Sequence, residues 1–476
     1  MSTEKDLIDR IEDQGTILGH PKGLFLLFFT EMWERFSYYG MRGVLILYMT
    51  KMWSENGLNI PAEKATLYYG FFTGFVYFTP LLGGLIADRF IGQRKAITIG
   101  GITMFIAQLV LFSMNTHFGL AIGLVLLIIG NGFFKPNIST LVGQLYRPND
   151  ARRDSAFSIF YMGINLGALI APLLIGLLAE DWFAVKGVDA EGKAIILSYG
   201  FKYAFLASAI GMAIGQLFFN LLSKKYLLEI GEKPKKEVKV LDEKTAPSSV
   251  EISDKNVERQ RITVIFILTF FVIFFWAGFE QAGSSMTLYT DKYIDRVFFG
   301  WEIPTTFFQA FNPLLIVTLA PIFVWFWSSK YGKKLSTPMK MSLGMILLGI
   351  GFLFMLMATY GVQVSGAGDK EVVVKKAALI WLILTYFFHT IGELCLSPVG
   401  LSMITKLAPI KLASLLMGVW MLSTFVANII GGYIASYVEK LGAGTVFGSI
   451  AIFVIVLGIL MMFVSKRLSK MMHGIN

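Results

Sequence analysis

The sequence predicts an all-α integral membrane protein with twelve transmembrane helices, and three observations carry that expectation. Of the 476 residues, 55% are hydrophobic and only 16% charged, whereas a soluble domain carries about 25% charged residues. Such a composition cannot clothe domains of ordinary size in a water-facing surface. The apolar residues also gather in continuous runs of about 20, the length that crosses a bilayer as a helix, whereas a β-barrel would alternate with period two. Finally, 47 Gly and 42 Phe supply small residues for close helix contact in lipid and aromatics to fill apolar space. Cys395 is the one cysteine, and His20, His117, His389 and His473 are the only histidines. They exclude a disulfide framework and a Cys- or His-rich metal centre, so no metal or cofactor is expected.

Taken in chain order, residues 1–22 are a polar, acid-containing cytoplasmic N-terminus without the apolar run of a signal peptide. Six spans follow near 24–50, 66–88, 96–114, 118–145, 155–179 and 199–222, forming an N-terminal bundle over 23–222. The segment 223–261 is the only long polar stretch, and its mixed Lys/Glu composition reads as a solvated cytoplasmic linker. Binding of lipid headgroups or a regulator is its alternative role. Six further spans near 262–289, 306–329, 340–360, 376–401, 411–437 and 443–466 form a C-terminal bundle over 262–466, and 467–476 is a cytoplasmic tail. With both termini inside, cytoplasmic segments hold 28 Lys/Arg against 11 outside, and Arg35, Arg42 and Lys135 lie within spans. Basic residues mark the cytoplasmic side, so the net charge of +10 is a topology signal and not a sign of nucleic-acid binding. The expected location is the cell membrane.

The two halves echo each other. The turn after span two begins at Pro80 and runs through Gly83, Gly84, Asp88, Arg89 and Gly92 to Arg94 and Lys95. The turn after span eight begins at Pro321 and ends in Lys330, Gly332, Lys333 and Lys334. Spans four and ten each carry a glycine, a charge and a proline: Gly132, Lys135, Pro136 and Gly392, Glu393, Pro398. Parallel similarity between six-helix halves is the mark of a transporter that rocks around a central site.

Ionisable groups at membrane depth are costly and point to function. Helical geometry places Glu31, Glu34, Arg35, Tyr38 and Arg42 on one face of span one, with Tyr39 at its margin. That stripe must line protein or water; the structural alternative is a salt bridge such as Glu31 with Arg35 that only cements the bundle. Lys135, ahead of Pro136, is expected at a bend or break of span four and needs a carboxylate from span one or from a ligand. Glu280 lies toward the outer part of span seven and Glu393 well within span ten, where His389 precedes it by one turn. That histidine either carries protons or is simply packed and hydrogen-bonded. Four carboxylates (Glu31, Glu34, Glu280, Glu393) face three cations (Arg35, Arg42, Lys135), so one carboxylate needs a proton or a cationic substrate group. The cations belong to the N-terminal half, and Glu280 and Glu393 to the other. A cavity between the halves would suit a zwitterion, its carboxylate toward Arg42 and Lys135 and its ammonium toward Glu393. Asn165 and Asn312 could bond a peptide backbone or another helix. Tyr39, Tyr77, Tyr161, Trp276 and Trp420 could line side-chain pockets or serve packing and interfacial belts.

Several stretches together resemble the proton-dependent oligopeptide transporters (the POT, or PTR, family) of the major facilitator superfamily. Glu31-x-x-Glu34-Arg35-Phe36-Ser37-Tyr38-Tyr39-Gly40 is similar to the family's ExxERFxYYG motif, and Phe160-Tyr161-x-x-Ile164-Asn165-x-Gly167 to its span-five signature. Gly130 to Asn137 resembles the span-four segment, Gly392-Glu393-Leu394-x-x-Ser397-Pro398 the span-ten one, and Gly83-Gly84-x-x-Ala87-Asp88-x-x-x-Gly92 the superfamily's loop after span two. The resemblance implies a major facilitator fold of two six-helix bundles. It implies import of di- and tripeptides driven by the proton gradient, with no cofactor and with function as a monomer among membrane lipids. By the same resemblance Glu31, Glu34 and Arg35 serve proton coupling with Lys135 as pairing partner, and Glu280 takes part in gating or protonation. Arg42 and Lys135 hold the peptide carboxylate, Glu393 its amino terminus with Ser397 nearby, and Asn165 and Asn312 its backbone. Asp88, with Gly83 and Gly84, belongs to cytoplasmic gating.

The chain also departs from family patterns. The 223–261 segment has no apolar run for the helix pair that many bacterial members insert, and 361–376 is too short for the extracellular domain of animal members. Span two lacks the histidine of those members, so the proton site must rest on carboxylates. A nitrate-like anion carrier or a peptidomimetic drug transporter of the same fold remains an alternative, as does a non-transporting peptide sensor. The acidic Glu393 disfavours an anion, and the short tail after Lys466 disfavours a sensor. No HExxH or GxSxG motif and no intramembrane Asp pair supports an enzyme.

Overall fold

A computed structural model describes residues 4–147, 150–188, 194–234, 255–366, 372–409 and 412–475. The chain opens with an amphipathic helix, α1 (Glu4–Glu12), and a tight hairpin of β1 (Thr16–Ile17) and β2 (His20–Pro21). Then come α2 (Lys22–Thr50), α3 (Ala62–Ile86), α4 (Gln93–Ser113), α5 (His117–Gln144) and α6 (Arg153–Gly176). A hairpin of β3 (Val185–Val188) and β4 (Ala194–Ser198) leads to α7 (Phe201–Tyr226). After the linker come α8 (Lys255–Phe279), α9 (Ser285–Tyr293), the hairpin β5 (Val297–Phe298) and β6 (Trp301–Glu302), α10 (Phe311–Ser328) and α11 (Thr337–Tyr360). The hairpin β7 (Gln363–Ser365) and β8 (Val372–Lys375) precedes α12 (Leu379–Leu407), α13 (Ala413–Ser436), α14 (Val438–Leu441) and α15 (Ala443–Met471). Residues 235–254, the middle of the expected linker, lie outside the described residues.

Eleven helical segments among the described residues are long and apolar enough to cross a membrane. The twelfth, α2, is 29 residues long and is set apart only by its polar stripe: Lys22, Glu31, Glu34, Arg35 and Arg42 leave it no stretch as poor in charge as the others. The multi-pass α-helical architecture expected from the sequence is therefore present.

By its contacts the chain forms two units, Met1–Ile60 with Phe75–Thr245, and Pro61–Gly74 with Ala246–Asn476. In the first, α2 packs on α6 and α7, and α4 on α5 and α7. In the second, α11 packs on α12 and α15 around buried Leu268, Phe275, Leu348, Phe352, Leu382 and Phe447.

Two local expectations are corrected. Span seven is not one continuous helix: α8 ends at Phe279, a 3-10 turn spans Glu280–Gly283, and α9 resumes at Ser285. Gln281 stabilises the interruption, donating from Nε2 to the carbonyls of Ala277 (3.0 Å) and Gly431 (2.9 Å) and accepting from Ser285 Oγ (2.6 Å). Span four, conversely, is not broken at Pro136, because α5 runs through it. Proline removes the N–H that would bond the carbonyl four residues back, that of Gly132. That freed oxygen points at Gly83 of α3, where a Cβ would come within 2.0 Å of it. The missing side chain at Gly83 lets the two backbones meet.

Candidate functional site

In the first unit the polar stripe of α2 closes on itself. Arg35 Nε donates to Glu34 Oε2 and forms an ion pair with Glu31 Oε1 at 3.1 Å, one turn away. All three side chains are buried. Asn131 of α5 donates from Nδ2 to Glu34 Oε1 at 3.3 Å, tying the cluster to the helix that carries Lys135. The guanidinium also lies over the ring of Tyr38, 5.3 Å from its centroid. Among the described residues Glu31 Oε2 and Arg35 Nη2 find no hydrogen-bond partner. Gly167 of α6 seats this part of α2: a Cβ there would meet the Met32 carbonyl at 2.3 Å and Arg35 Cβ at 2.9 Å. The Gly of the expected span-five signature is thus a packing requirement of the charged cluster.

Lys135 was expected to seek a carboxylate. Its ammonium sits 4.3 Å from the centroid of Tyr77, a cation–π contact, and interacts electrostatically with Glu31. Tyr39, Arg42 and Lys135 are all half-buried, and Arg42 lies about 10 Å along α2 from Arg35. Asn165 is buried and donates to the carbonyl of Tyr161 on its own helix at 3.0 Å, while Tyr161 is 53% exposed. Gly84 lies beside Pro136, and Asp88 accepts from Gln93 Nε2 at 3.1 Å across the turn to α4.

The second unit holds a separate polar cluster. Asn312 of α10 donates from Nδ2 to Glu393 Oε2 of α12 at 2.7 Å and to Thr390 Oγ1 at 3.2 Å. The bond is helix-to-helix, the alternative that the sequence left open. Glu280, at the interruption after α8, is buried and interacts electrostatically with Glu393. Trp276 packs edge-on against Phe275 and Phe279. Trp420 is buried against Gly400, where a Cβ would meet its ring at 2.5 Å, and Ser397 is half-buried one turn beyond Glu393. His389 is packed: its ring lies 4.7 Å from that of Phe352 and directly over Gly351.

Sequence reasoning missed Asn131, Thr390 and Gln281. Spacing held a signal for two of them: Asn131 is one turn before Lys135, and Thr390 is three residues before Glu393 on the same helix face. Gln281 shows its role only once the break beside it is seen.

The sequence pattern of the POT family (PTR2) matches residues 94–241 and 232–453. An uncharacterized transporter of Bacillus subtilis, YclF, is 34% identical over 100% of this chain and 99% of its own length. The peptide transporter YePEPT of Yersinia enterocolitica is 34% identical over 89% of each chain, and a di-/tripeptide transporter of Lactococcus lactis 31% identical over 97% and 98%. Among solved structures, a peptide transporter POT in complex with sulfate superposes with TM-score 0.85 at 31% identity over all of both chains. A POT family transporter in complex with 5-aminolevulinic acid superposes with TM-score 0.83 at 30% identity, covering 97% and 99%.

Proposed function

This chain belongs to the POT family, and on that premise we propose that it imports di- and tripeptides by alternating access, coupled to inward movement of protons. Peptide transport is supported by the names of its relatives and by the amino-acid-like ligand of one structural neighbour. The observation that carries the coupling is the sharing of one guanidinium, Arg35, by two buried carboxylates, Glu31 and Glu34. Two buried carboxylates against one cation leave an excess negative charge, which costs several kcal/mol unless compensated. A proton on either acid relieves it, and so does closer approach of Lys135. The cluster thereby links protonation to the position of a lysine that also serves the peptide carboxylate.

In this reading Arg42 and Lys135 hold the carboxylate of the peptide and Glu393 its ammonium. Asn312 already bonds Glu393, which fixes the carboxylate's orientation before substrate arrives and lowers the ordering cost of binding. Asn165 and Asn312 contact the peptide backbone, Tyr39, Tyr77, Tyr161, Trp276 and Trp420 border its side chains, and Glu280 contributes to gating or protonation. Asp88, Gly83 and Gly84 act at the cytoplasmic turn.

The test is uptake of labelled Ala-Ala into proteoliposomes with and without an inward proton gradient. Wild-type protein is expected to accumulate the dipeptide only with the gradient. Glu34→Gln is expected to abolish accumulation while retaining exchange of labelled for unlabelled peptide. Gradient-driven uptake at the wild-type rate in that variant removes the carboxylate pair from coupling.

A further inference from the structure

We infer that the first unit carries a site for an anionic phospholipid, where the N-terminal hairpin meets the first residues of α2 and the last turns of α7. An apolar groove of about 270 Å³ opens there, walled by Phe25, Phe29, Phe218 and Leu222 and rimmed by Lys22 and Tyr226. Its floor is an edge-to-face pair, Phe29 on Phe218, with centroids 4.9 Å apart. Lys22 begins α2 and Tyr226 ends α7, so the rim lies at the helix ends and the floor about 10 Å deeper along both helices. That is the depth at which headgroup gives way to acyl chain.

The rim is cationic. Lys225 lies against Tyr226, its ammonium 5.3 Å from the ring centroid, and Lys224 is exposed beside it. Among the described residues neither Lys22 nor Lys225 enters an ion pair. On this end of the unit Asp9, Glu12 and Glu229 are engaged by Arg147, Arg152 and Arg10, while Asp13, between α1 and the hairpin, is exposed.

The hairpin adds an apolar edge. Leu18, at its tip, is 82% exposed and Ile17 43% exposed, while His20 behind them is buried and bonds Tyr146 Oη at 2.8 Å. A fixed hairpin that holds two aliphatic side chains outward beside an apolar groove is placed to enter an interface and not water. An apolar slot at acyl depth under a lysine rim complements one amphipathic anion: a phospholipid whose phosphate meets Lys22 and Lys225 and whose chain fills the slot.

The full chain, exchanged from mixed phosphatidylglycerol/phosphatidylcholine vesicles into mild detergent, is to be analysed by native mass spectrometry for retained lipid. Wild type is expected to retain phosphatidylglycerol in preference to phosphatidylcholine. Lys22→Gln and Lys225→Gln should each cut that preference about fivefold and the double variant more, with Lys→Arg restoring it. Leu18→Asn should reduce retention of both lipids, and thermal unfolding in detergent checks that each variant is folded. Unchanged preference in the folded double variant overturns the inference. So does displacement of the lipid by millimolar inorganic phosphate, which would mark an anion site only, or a wild-type dimer whose lipid-free interface covers the groove. The readout does not involve transport and stands apart from the assignment of substrate.

Discussion

Arg35 is bonded to two carboxylates on its own helix, so the charge state of this cluster and the shape of α2 cannot be changed separately. Glu393 is held differently, by the neutral amide of Asn312 at 2.7 Å, which orients the carboxylate without cancelling its charge. In the proposed function a peptide ammonium gains a charge-assisted partner there. Glu393→Ala is expected to weaken binding of peptides with a free amino terminus about tenfold to a hundredfold and to leave N-acetylated peptides nearly unaffected. Competition against labelled Ala-Ala by the two peptide classes measures the difference, and equal losses would remove Glu393 from this role. Outside the spans, Asp150 accepts from the Arg152 side chain and backbone N–H, and the side-chain bond is the larger reason its carboxyl is held below the usual range. A depressed folded value means stability present above the ordinary carboxylate value of about 3.9 and lost as pH falls through the folded one. Thermal unfolding in detergent should find Asp150→Asn less stable than wild type at pH 7, by at most about 1 kcal/mol because Arg152 is partly solvated. The two should converge toward pH 2.

At the scale of elements, apolar run length gave the spans, and residue spacing gave the shared face of Glu31, Glu34, Arg35 and Tyr38. What the sequence hid depends on partners distant in the chain. The interruption at Glu280–Gly283 carries no proline, and it is secured by a carbonyl of α13 that no local pattern reveals. Pro136 misled in the opposite sense. A break is expected there, yet the carbonyl that the proline frees is accommodated by Gly83 of α3 while α5 continues. Four short hairpins and α1 were also invisible to a reading tuned to long apolar runs. Gly83 gives the sharpest test of an element contact. A β-branched side chain there would drive into the Gly132 backbone and separate α3 from α5, displacing Tyr77 and Lys135 with them. Gly83→Val is expected to lower stability by about 1–3 kcal/mol and to impair uptake, whereas the more open Gly84→Ala, whose Cβ would meet only Pro136 at 3.4 Å, should be tolerated. Unfolding midpoints of the two variants in detergent separate these outcomes.

For the whole molecule, the distribution of basic residues argues for orientation. Segments placed on the side of the termini hold 28 Lys/Arg against 11 on the other, and the bias persists without the linker. Insertion follows such a bias because short basic loops are retained in the cytoplasm. The orientation expected from that asymmetry has the Lys330–Lys334 turn after α10 inside and the β7–β8 hairpin before α12 outside. Ser365 and Lys334 are both exposed, and the one native thiol, Cys395, is buried, so single cysteines at these positions report sidedness with little background. In a Cys395→Ser chain, Ser365→Cys is expected to react with a membrane-impermeant maleimide added to intact cells, and Lys334→Cys only after permeabilisation. The reverse pattern would place the termini outside and overturn the orientation expected from the basic residues. Labelling of both positions in intact cells would mean that the chain inserts in both orientations, and then the basic-residue bias would not be what directs its insertion.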